Sequence, residues 1–191
     1  MPRNPDDARK RLQQAALELF VEHGYEATTA AEIAARAGVT ERTFFRHFPD
    51  KREVLFQGQE ILARALEAAI AEAPPELPPL QILERAFRSV IGLLEANRPF
   101  SEPRARIIAA TPALQERETA KVMMLSRQVA AALERRGVPA ARAALAAQAG
   151  LAVFGQAITA WFADPSHGLA AEIDLAFAEL KALSAPQEDG R

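Results

Sequence analysis

The 191-residue sequence predicts an all-α fold, and two observations support that prediction. Alanine, which has the highest helix propensity, recurs along the whole chain. Stretches rich in Val, Ile, Thr and aromatic residues at alternating spacing, which would indicate strands, are missing. Apolar residues recur instead at helical spacing, as in Leu12, Ala16, Leu19 and Phe20. About nine helices are expected.

Capping residues, glycines and prolines place the ends of these helices. Thr29-x-x-Glu32 and Asp50-x-x-Glu53 are capping boxes, in which a side chain at each end bonds the other's backbone N–H. Gly24, Gly38 and Gly137 suit helix C-termini. The predicted helices are 7–22, 29–37, 41–48, 51–73, 80–97, 107–110, 113–136, 139–162 and 169–183.

A proline-rich break at 74–79 divides the chain, because two Pro-Pro pairs in six residues cannot be helical. We expect an N-terminal domain over 1–50 that leads into the connecting helix 51–73. A second domain should cover 74–184, with a tail at 185–191.

Composition excludes several classes of protein. With 49% hydrophobic and 25% charged residues, the chain is typical of a globular protein. We expect no apolar run long enough to span a membrane, and the N-terminus lacks the apolar core of a secretory signal, so a cytoplasmic protein without a transmembrane helix is expected. Cysteine is absent, and the three histidines have no metal-ligand spacing. No Gly-rich phosphate loop is present either, so neither an enzyme nor a cofactor or metal is expected.

Two short helices joined at a glycine predict a helix-turn-helix. Ala34 is small enough to let the helices cross closely, and Gly38 permits the tight turn between them. Val39 and Phe44 would fill the core beneath. The net charge of −2 gives no indication of a nucleic-acid partner, so that case depends on where the charges lie.

The stretch from Thr28 to Leu55 resembles the DNA-binding signature of the TetR family of transcriptional regulators. It covers about a quarter of the chain, or a third with the first helix. The resemblance implies a homodimer that binds a palindromic operator in double-stranded DNA. It also implies repression that a hydrophobic small-molecule effector relieves. A ligand would shift the short sixth helix against the long fourth helix, and so change the spacing of the two recognition helices, about 34–36 Å on DNA.

The resemblance places the recognition helix at Glu41–His47, in the major groove. Arg42 can bond guanine bidentately, Glu41 can accept from cytosine, and Thr43 can contact a thymine methyl or hydrogen-bond a base. Phe45 stands where the family usually has Tyr, so we expect apolar contact from it, or burial. The alternative is that these side chains are simply solvated.

Phosphate contacts are expected from a second set, which fixes the protein on the duplex without reading sequence. Its members are Thr29, Thr40, Arg46, His47 and Lys51. The family's basic residue early in the second helix is replaced by Ala30 and Ala31. A basic N-terminal segment, Arg3, Arg9, Lys10 and Arg11, either follows the DNA backbone or is a solvated helix face.

The resemblance further implies dimerisation through the last two helices and a ligand pocket in the second domain. The dimer candidates, with ordinary packing inside one chain as the alternative, are Ala143, Ala147, Gly150, Leu151, Phe154, Ile158, Ile173, Phe177 and Leu180. Gly150 and Gly155 indicate that another helix comes close. The pocket candidates are Phe87, Ile91, Leu94, Ile107, Thr111, Met123, Leu125, Phe154 and Trp161. Arg98, Arg104 and Arg106 either receive an anionic head group or are solvated.

Two rival functions stay open at this point. The first rival is a helical interaction module that never contacts DNA. The second is a regulator of the same family that activates transcription and does not repress it. Loss of binding with added salt distinguishes a DNA-binding protein from a protein-only module.

Overall fold

The computed structural model describes residues 5–56 and 58–183, except for the side chains of residues 5, 6 and 59. In this part of the chain there are nine α-helices and no strand, which confirms the all-α prediction. The helices are α1 (Pro5–His23), α2 (Ala30–Arg36), α3 (Glu41–His47), α4 (Gln59–Ala71), α5 (Pro79–Ser89), α6 (Ile91–Ala109), α7 (Pro112–Arg135), α8 (Ala140–Ala163) and α9 (Gly168–Leu183). Short 3-10 turns lie at Glu53–Leu55 and Pro165–His167.

The caps around α2 and α3 are formed as predicted. The Thr29 hydroxyl accepts from the Glu32 backbone N–H at 3.2 Å, and the Glu32 carboxylate accepts from the Thr29 N–H at 2.8 Å. Gly38 has a φ of +65°, which favours glycine, and its N–H closes α2 on Ala35. Because both ends of α2 are fixed, the start of α3 is fixed as well.

The prediction of a long helix starting at Lys51 is wrong for its first eight residues, 51–58. The Asp50 carboxylate does accept the backbone N–H groups of Arg52 at 2.8 Å and Glu53 at 3.1 Å. A 3-10 turn follows instead of an α-helix, and α4 begins only at Gln59. Val54, Leu55 and Phe56 are all buried. Three consecutive residues spread over 200° of an α-helix, so burying all three requires the chain to leave α geometry here.

The predicted division between 80–97 and 107–110 is also wrong. Helix α5 ends at Ser89, and α6 then continues through Pro99 and Pro103. A proline inside a helix removes one hydrogen bond and costs about 3 kcal/mol. Glu102 lies between them and pairs with both Arg98 and Arg106, one turn away on either side. These i, i+4 pairs and the burial of Ile107 and Ile108 favour a continuous helix.

The chain forms two compact units, and each is built from separate stretches of sequence. Among the described residues, the first combines 5–56 and 58–60 with 97–121, and the second combines 61–96 with 122–183. Ile107, Ile108 and Leu114 share one apolar core with Leu12 and Phe44. The sequence had assigned 97–121 to the second domain, whereas packing includes it in the helix-turn-helix unit. The functional roles of the two predicted domains stay predictions.

Helices α5, α8 and α9 form the centre of the second unit. The rings of Phe87 and Phe154 stack with centroids 4.2 Å apart, and Phe177 lies 6.1 Å from Phe87. Gly150 of α8 lies against α5, where a Cβ added to it would meet a Leu83 methyl at 2.7 Å. The close helix approach predicted at Gly150 is therefore present within one chain. At Gly155 nothing lies within 4 Å.

Most of the predicted dimer contacts are buried inside the protomer, so a second chain cannot reach them. Seven of the nine are buried: Ala143, Ala147, Gly150, Leu151, Phe154, Ile173 and Phe177. Ile158 and Leu180 are half-buried. Ordinary intrachain packing, the alternative reading of this stripe, is what the structure shows for those seven. Any interface on these helices must use their outer faces.

Helix α8 is long and apolar enough to cross a membrane by length and composition alone, so the prediction that no such segment exists is wrong. The sequence after Arg142 has no charged residue up to the end of the helix. The same composition is typical of a helix in a globular core, and eight residues of α8 are buried in the second unit.

Candidate DNA-binding site

Helix α3 is anchored by two aromatic side chains and exposes the rest. Phe44 and Phe48, one turn apart, are fully buried, with ring centroids 5.6 Å apart. Between and around them Glu41, Arg42 and Arg46 are exposed, whereas Thr43 and His47 are half-buried. Phe45 is 51% exposed, so the burial considered for it is wrong and its ring is available for contact.

The exposed and half-buried residues of α3 form two adjoining arcs, which meet where Arg42 and Arg46 lie about 40° apart. At 100° per residue, Glu41, Phe45 and Arg42 fall within one arc of about 100°. Thr43, Arg46 and His47 fall within a second arc of the same width on the other side. Three of the four predicted base readers thus share a face, and two predicted phosphate ligands share the other. Thr43, predicted to read bases, lies with the phosphate ligands.

Hydrogen bonds already occupy the threonines of the site. The hydroxyls of Thr40 and Thr43 lie 3.0 Å apart, and the Thr40 hydroxyl also accepts the Thr43 backbone N–H. The Thr29 hydroxyl donates to the Glu32 carboxylate at 2.8 Å. The backbone N–H and then the hydroxyl of Thr29 hold the pKa of Glu32 below its usual value. A phosphate at Thr29 would therefore meet a carboxylate that is ionised.

Lys51 binds the loop before α2. Its ammonium group donates to the carbonyls of Tyr25 at 2.9 Å, Glu26 at 3.2 Å and Thr28 at 3.1 Å. It also lies 4.4 Å from the centre of the Tyr25 ring. Three donors on three carbonyls use the whole ammonium group. Lys51 thus positions the segment leading into Thr29, and a direct phosphate bond from it requires one of these contacts to break.

One residue of the basic N-terminal segment, Arg11, has a structural role. The Arg11 guanidinium donates to the Ala37 carbonyl at 2.8 Å and so completes the C-terminus of α2. Arg9 and Lys10 are exposed on α1. Arg3 lies outside the described residues.

Residues of α6 and α7 hold the turn after α3, a role that sequence reasoning missed. The Arg104 guanidinium donates to the Leu55 carbonyl and pairs with Glu118. The Lys121 ammonium donates to the Phe56 carbonyl, and Arg117 pairs with Glu53 at 2.6 Å. Arg104 of α6 and Lys121 of α7 also lie over the Phe56 ring, 5.1 and 5.4 Å from its centroid.

We call Arg104, Arg117 and Lys121 the cation clamp. The arginines for which an anionic head group or solvation was considered are bonded to other groups of the protein. Arg104 is only 15% exposed and is bonded within its own unit, while Arg98 and Arg106 share Glu102. Burial lowers the pKa of Lys121 from its usual value, because desolvation outweighs the attraction of Glu53. The contacts join residues 49 to 65 positions apart, a distance over which no local pattern could have found them.

The nine predicted pocket residues belong to two different units. Phe87, Phe154 and Trp161 are buried in the second unit, with Ile91, Leu94 and Leu125 packed against the same core. Met123, also in the second unit, is 53% exposed. Ile107 and Thr111 belong to the first unit, where they line an open cleft of about 600 Å³.

The geometry defines a helix-turn-helix protein with an exposed recognition helix, and comparison with known sequences gives its family. The model of the bacterial regulatory proteins of the tetR family matches residues 12–57, and that of the MftR C-terminal domain matches 77–184. The chain belongs to the TetR family of bacterial DNA-binding transcriptional regulators. Family members and relatives are regulators rather than enzymes.

Known proteins resemble the chain in part of the sequence and in the whole fold. The transcriptional regulator TcmR of Streptomyces glaucescens is 44% identical over 84 residues, which are 44% of this chain and 37% of TcmR. The chain thus spans little more than a third of that relative's length. The SmeT–triclosan complex has a TM-score of 0.65 at 24% identity, covering 95% of this chain and 93% of SmeT. Thermus thermophilus FadR with lauroyl-CoA has a TM-score of 0.59 at 23% identity, covering 96% and 98%. At these identities the structures establish the fold.

Proposed function

We propose that this protein is a cytoplasmic repressor that binds a palindromic operator as a homodimer and leaves it when an apolar small molecule binds. The observation that carries the proposal is the exposed face of α3, formed by Glu41, Arg42 and Phe45 and supported from beneath by the fully buried Phe44 and Phe48. A helix held in this way projects several side chains rigidly, which reading a major groove requires.

Each face of α3 takes one task in this proposal. Arg42 bonds guanine through its two guanidinium donors, and Glu41 accepts from a cytosine amino group. On the other face Arg46 and His47 contact phosphates together with Thr40, and Thr43 joins them. Thr29 and the loop held by Lys51 supply the remaining backbone contacts. Phosphate contacts fix the register, and the first face reads the sequence.

Dimerisation is proposed on the outer faces of α8 and α9. Leu145 is 69% exposed on α8, and Leu175 is 57% exposed on α9. Arg142 is the only charged residue among the 24 of α8. The two helices pack against each other within one unit, and the proposed interface combines the exposed apolar residues of both. An exposed apolar surface of this kind is typical of a subunit interface. A second copy presents the same surface and so matches it by two-fold symmetry.

The effector is proposed to be apolar, and to act on the second unit. The aromatic cluster of Phe87, Phe154 and Phe177 gives that unit an apolar centre, and the related folds of SmeT and FadR bind triclosan and lauroyl-CoA. Helices α4, α6 and α7 each contribute residues to both units. A displacement of α6 or α7 would move the cation clamp on residues 53–56, and with it the turn that follows α3. A ligand acts in this way only if it binds the two states with different affinity.

Quantitative DNA binding tests the proposal. Operator duplexes are selected from a random pool with the wild-type protein, and affinity is measured by fluorescence anisotropy. We expect Arg42→Ala to weaken binding by about 1–3 kcal/mol for each half-site. Arg127→Ala removes the same charge from an exposed position on α7 and should bind like the wild type. Affinity should fall steeply with added salt, because phosphate contacts release counterions. If no duplex is selected, or binding is insensitive to salt, the helical interaction module is the better interpretation.

The oligomeric state of point variants tests the proposed dimer interface on α8 and α9. Leu145→Glu places a carboxylate in the proposed interface and should produce monomers in sedimentation velocity. Val122→Glu, at a position 45% exposed on α7, is the matched control and should remain a dimer. Dimeric Leu145→Glu protein would place the interface elsewhere.

A further inference from the structure

Phe45 is exceptional among the phenylalanines of this chain. All ten are described, and nine are buried or half-buried, whereas Phe45 is 51% exposed. The ring nonetheless has a packing partner on its own helix. It packs edge-on against Phe44 at 5.3 Å between centroids and an angle of 85°, and Phe44 is fully buried. An aromatic ring that is exposed on one side and packs on a buried neighbour on the other is suited to contact another apolar group.

The surroundings of the ring define what that group can be. Helical geometry places Glu41 about 40° to one side of Phe45 and Arg42 about 60° to the other. Both are exposed, so the ring is an apolar point between a hydrogen-bond acceptor and a donor. In the major groove the base edges offer hydrogen-bonding atoms and one apolar group, the C5 methyl of thymine.

We propose that Phe45 is a specificity-determining residue that reads the 5-methyl group of one pyrimidine in each half-site, a thymine in unmodified DNA. The inference depends on the proposed function, since it specifies what one residue of that interface recognises. Phenylalanine has no hydroxyl and makes no hydrogen bond there, so the contribution of Phe45 to discrimination at this base pair comes from the methyl contact. Methylated cytosine carries the same group at the same ring position, and should be accepted in place of thymine.

Changes on the DNA side isolate the methyl group. In the selected operator each thymine is replaced in turn by deoxyuridine, which differs only by that methyl. At one position in each half-site we expect wild-type affinity to fall about fourfold, as removing one buried methyl from an apolar contact requires, and about fifteenfold when both half-sites are changed. At the same position 5-methylcytosine should bind about fourfold more tightly than cytosine.

Changes on the protein side assign the contact to Phe45. Phe45→Ala should lose the deoxyuridine effect at that position and keep the effects of all other base changes. Val21→Ala, which removes another apolar side chain, 66% exposed on α1 of the same unit, should keep the fourfold loss. Phe45→Leu, which retains an apolar side chain, provides the same comparison if the alanine variant binds too weakly to measure.

Three results are distinguishable. Failure to select any duplex contradicts the proposed function itself. An operator whose binding is insensitive to every deoxyuridine replacement overturns the inference about Phe45 and leaves the proposed function intact. Loss of affinity with deoxyuridine that persists in Phe45→Ala and Phe45→Leu also overturns it, because another residue then reads the methyl.

Discussion

The replacement of Gly150 by alanine gives a direct test of the packing between α5 and α8. A Cβ at this position would lie 2.7 Å from a Leu83 methyl, and 3.5 Å from both the Leu83 Cβ and the Phe87 ring. Carbon atoms pack best at about 3.5–4.0 Å, so Leu83 must retreat by about 1 Å. Leu83 and Phe87 are fully buried, and Phe87 stacks on Phe154, so the neighbours have little room to move.

Two opposing terms set the size of the effect. Alanine in place of glycine inside a helix gains about 1 kcal/mol. Inserting a methyl group into a filled core costs about 1–3 kcal/mol. We therefore expect Gly150→Ala to lower the free energy of unfolding by up to about 2 kcal/mol. Gly92→Ala is the control, since nothing lies within 4 Å of its added Cβ and the helix term is favourable there.

Urea denaturation of both variants, at equal protein concentration, measures the difference. Trp161 is the single tryptophan and is 4% exposed, so its fluorescence reports on the second unit. We expect Gly150→Ala to be less stable than Gly92→Ala by about 1–3 kcal/mol. Equal stability, or greater stability of Gly150→Ala, would refute the close approach of α5 to α8 at this point.

Three further predictions concern the first unit. Thr29→Ala should lower the free energy of unfolding by about 1 kcal/mol in urea titrations, because the capping box is lost, whereas Thr119→Ala on the surface of α7 should change it less. The only tyrosine, Tyr25, has a pKa raised by burial to about 12, so phenolate absorbance should titrate near pH 12 in the native protein and near 10 in denaturant. The stability that the neutral phenol contributes at neutral pH is lost as the pH rises through this range. A native titration midpoint near pH 10 would show that the phenol is solvated. The Arg52 side chain and two backbone N–H groups hold the pKa of Asp50 below its usual value. The stability advantage of the wild type over Asp50→Asn should therefore be constant from about pH 7 to 5 and shrink as the pH falls below about 4; an advantage that does not decrease on acidification would contradict this.

The local features of this protein could be predicted from sequence because their causes are local. The Thr29 and Thr40 caps and the turn at Gly38 each depend on residues within five positions of one another. The recognition helix was placed for the same reason, since Phe44 and Phe48 are one turn apart.

Features that depend on distant contacts were missed or misjudged. Pro99 and Pro103 predicted a break in α6, but ion pairs and burial outweigh the missing N–H groups. No local pattern connects Arg104 or Lys121 with the turn at Glu53–Leu55.

The stripe on α8 shows a different difficulty. Its alanines and glycines allow close approach of another helix, but they do not indicate whether that helix belongs to the same chain. Gly150 contacts α5 of its own protomer, while the outer side around Leu145 stays exposed. The small residues therefore predicted that another helix packs closely here, but not which helix it is.

The assembly of the first unit from two stretches of sequence affects how this regulator can be recombined with others. A chimaera that takes only residues up to 60 would transfer α3 without Ile107, Ile108 and Leu114, which complete its apolar core, and without the cations that bind the carbonyls of Leu55 and Phe56. Grafting of DNA specificity onto a foreign sensor thus requires residues 97–121 as well. Swapping at the proline-rich segment alone would join a recognition helix to a scaffold that does not support it.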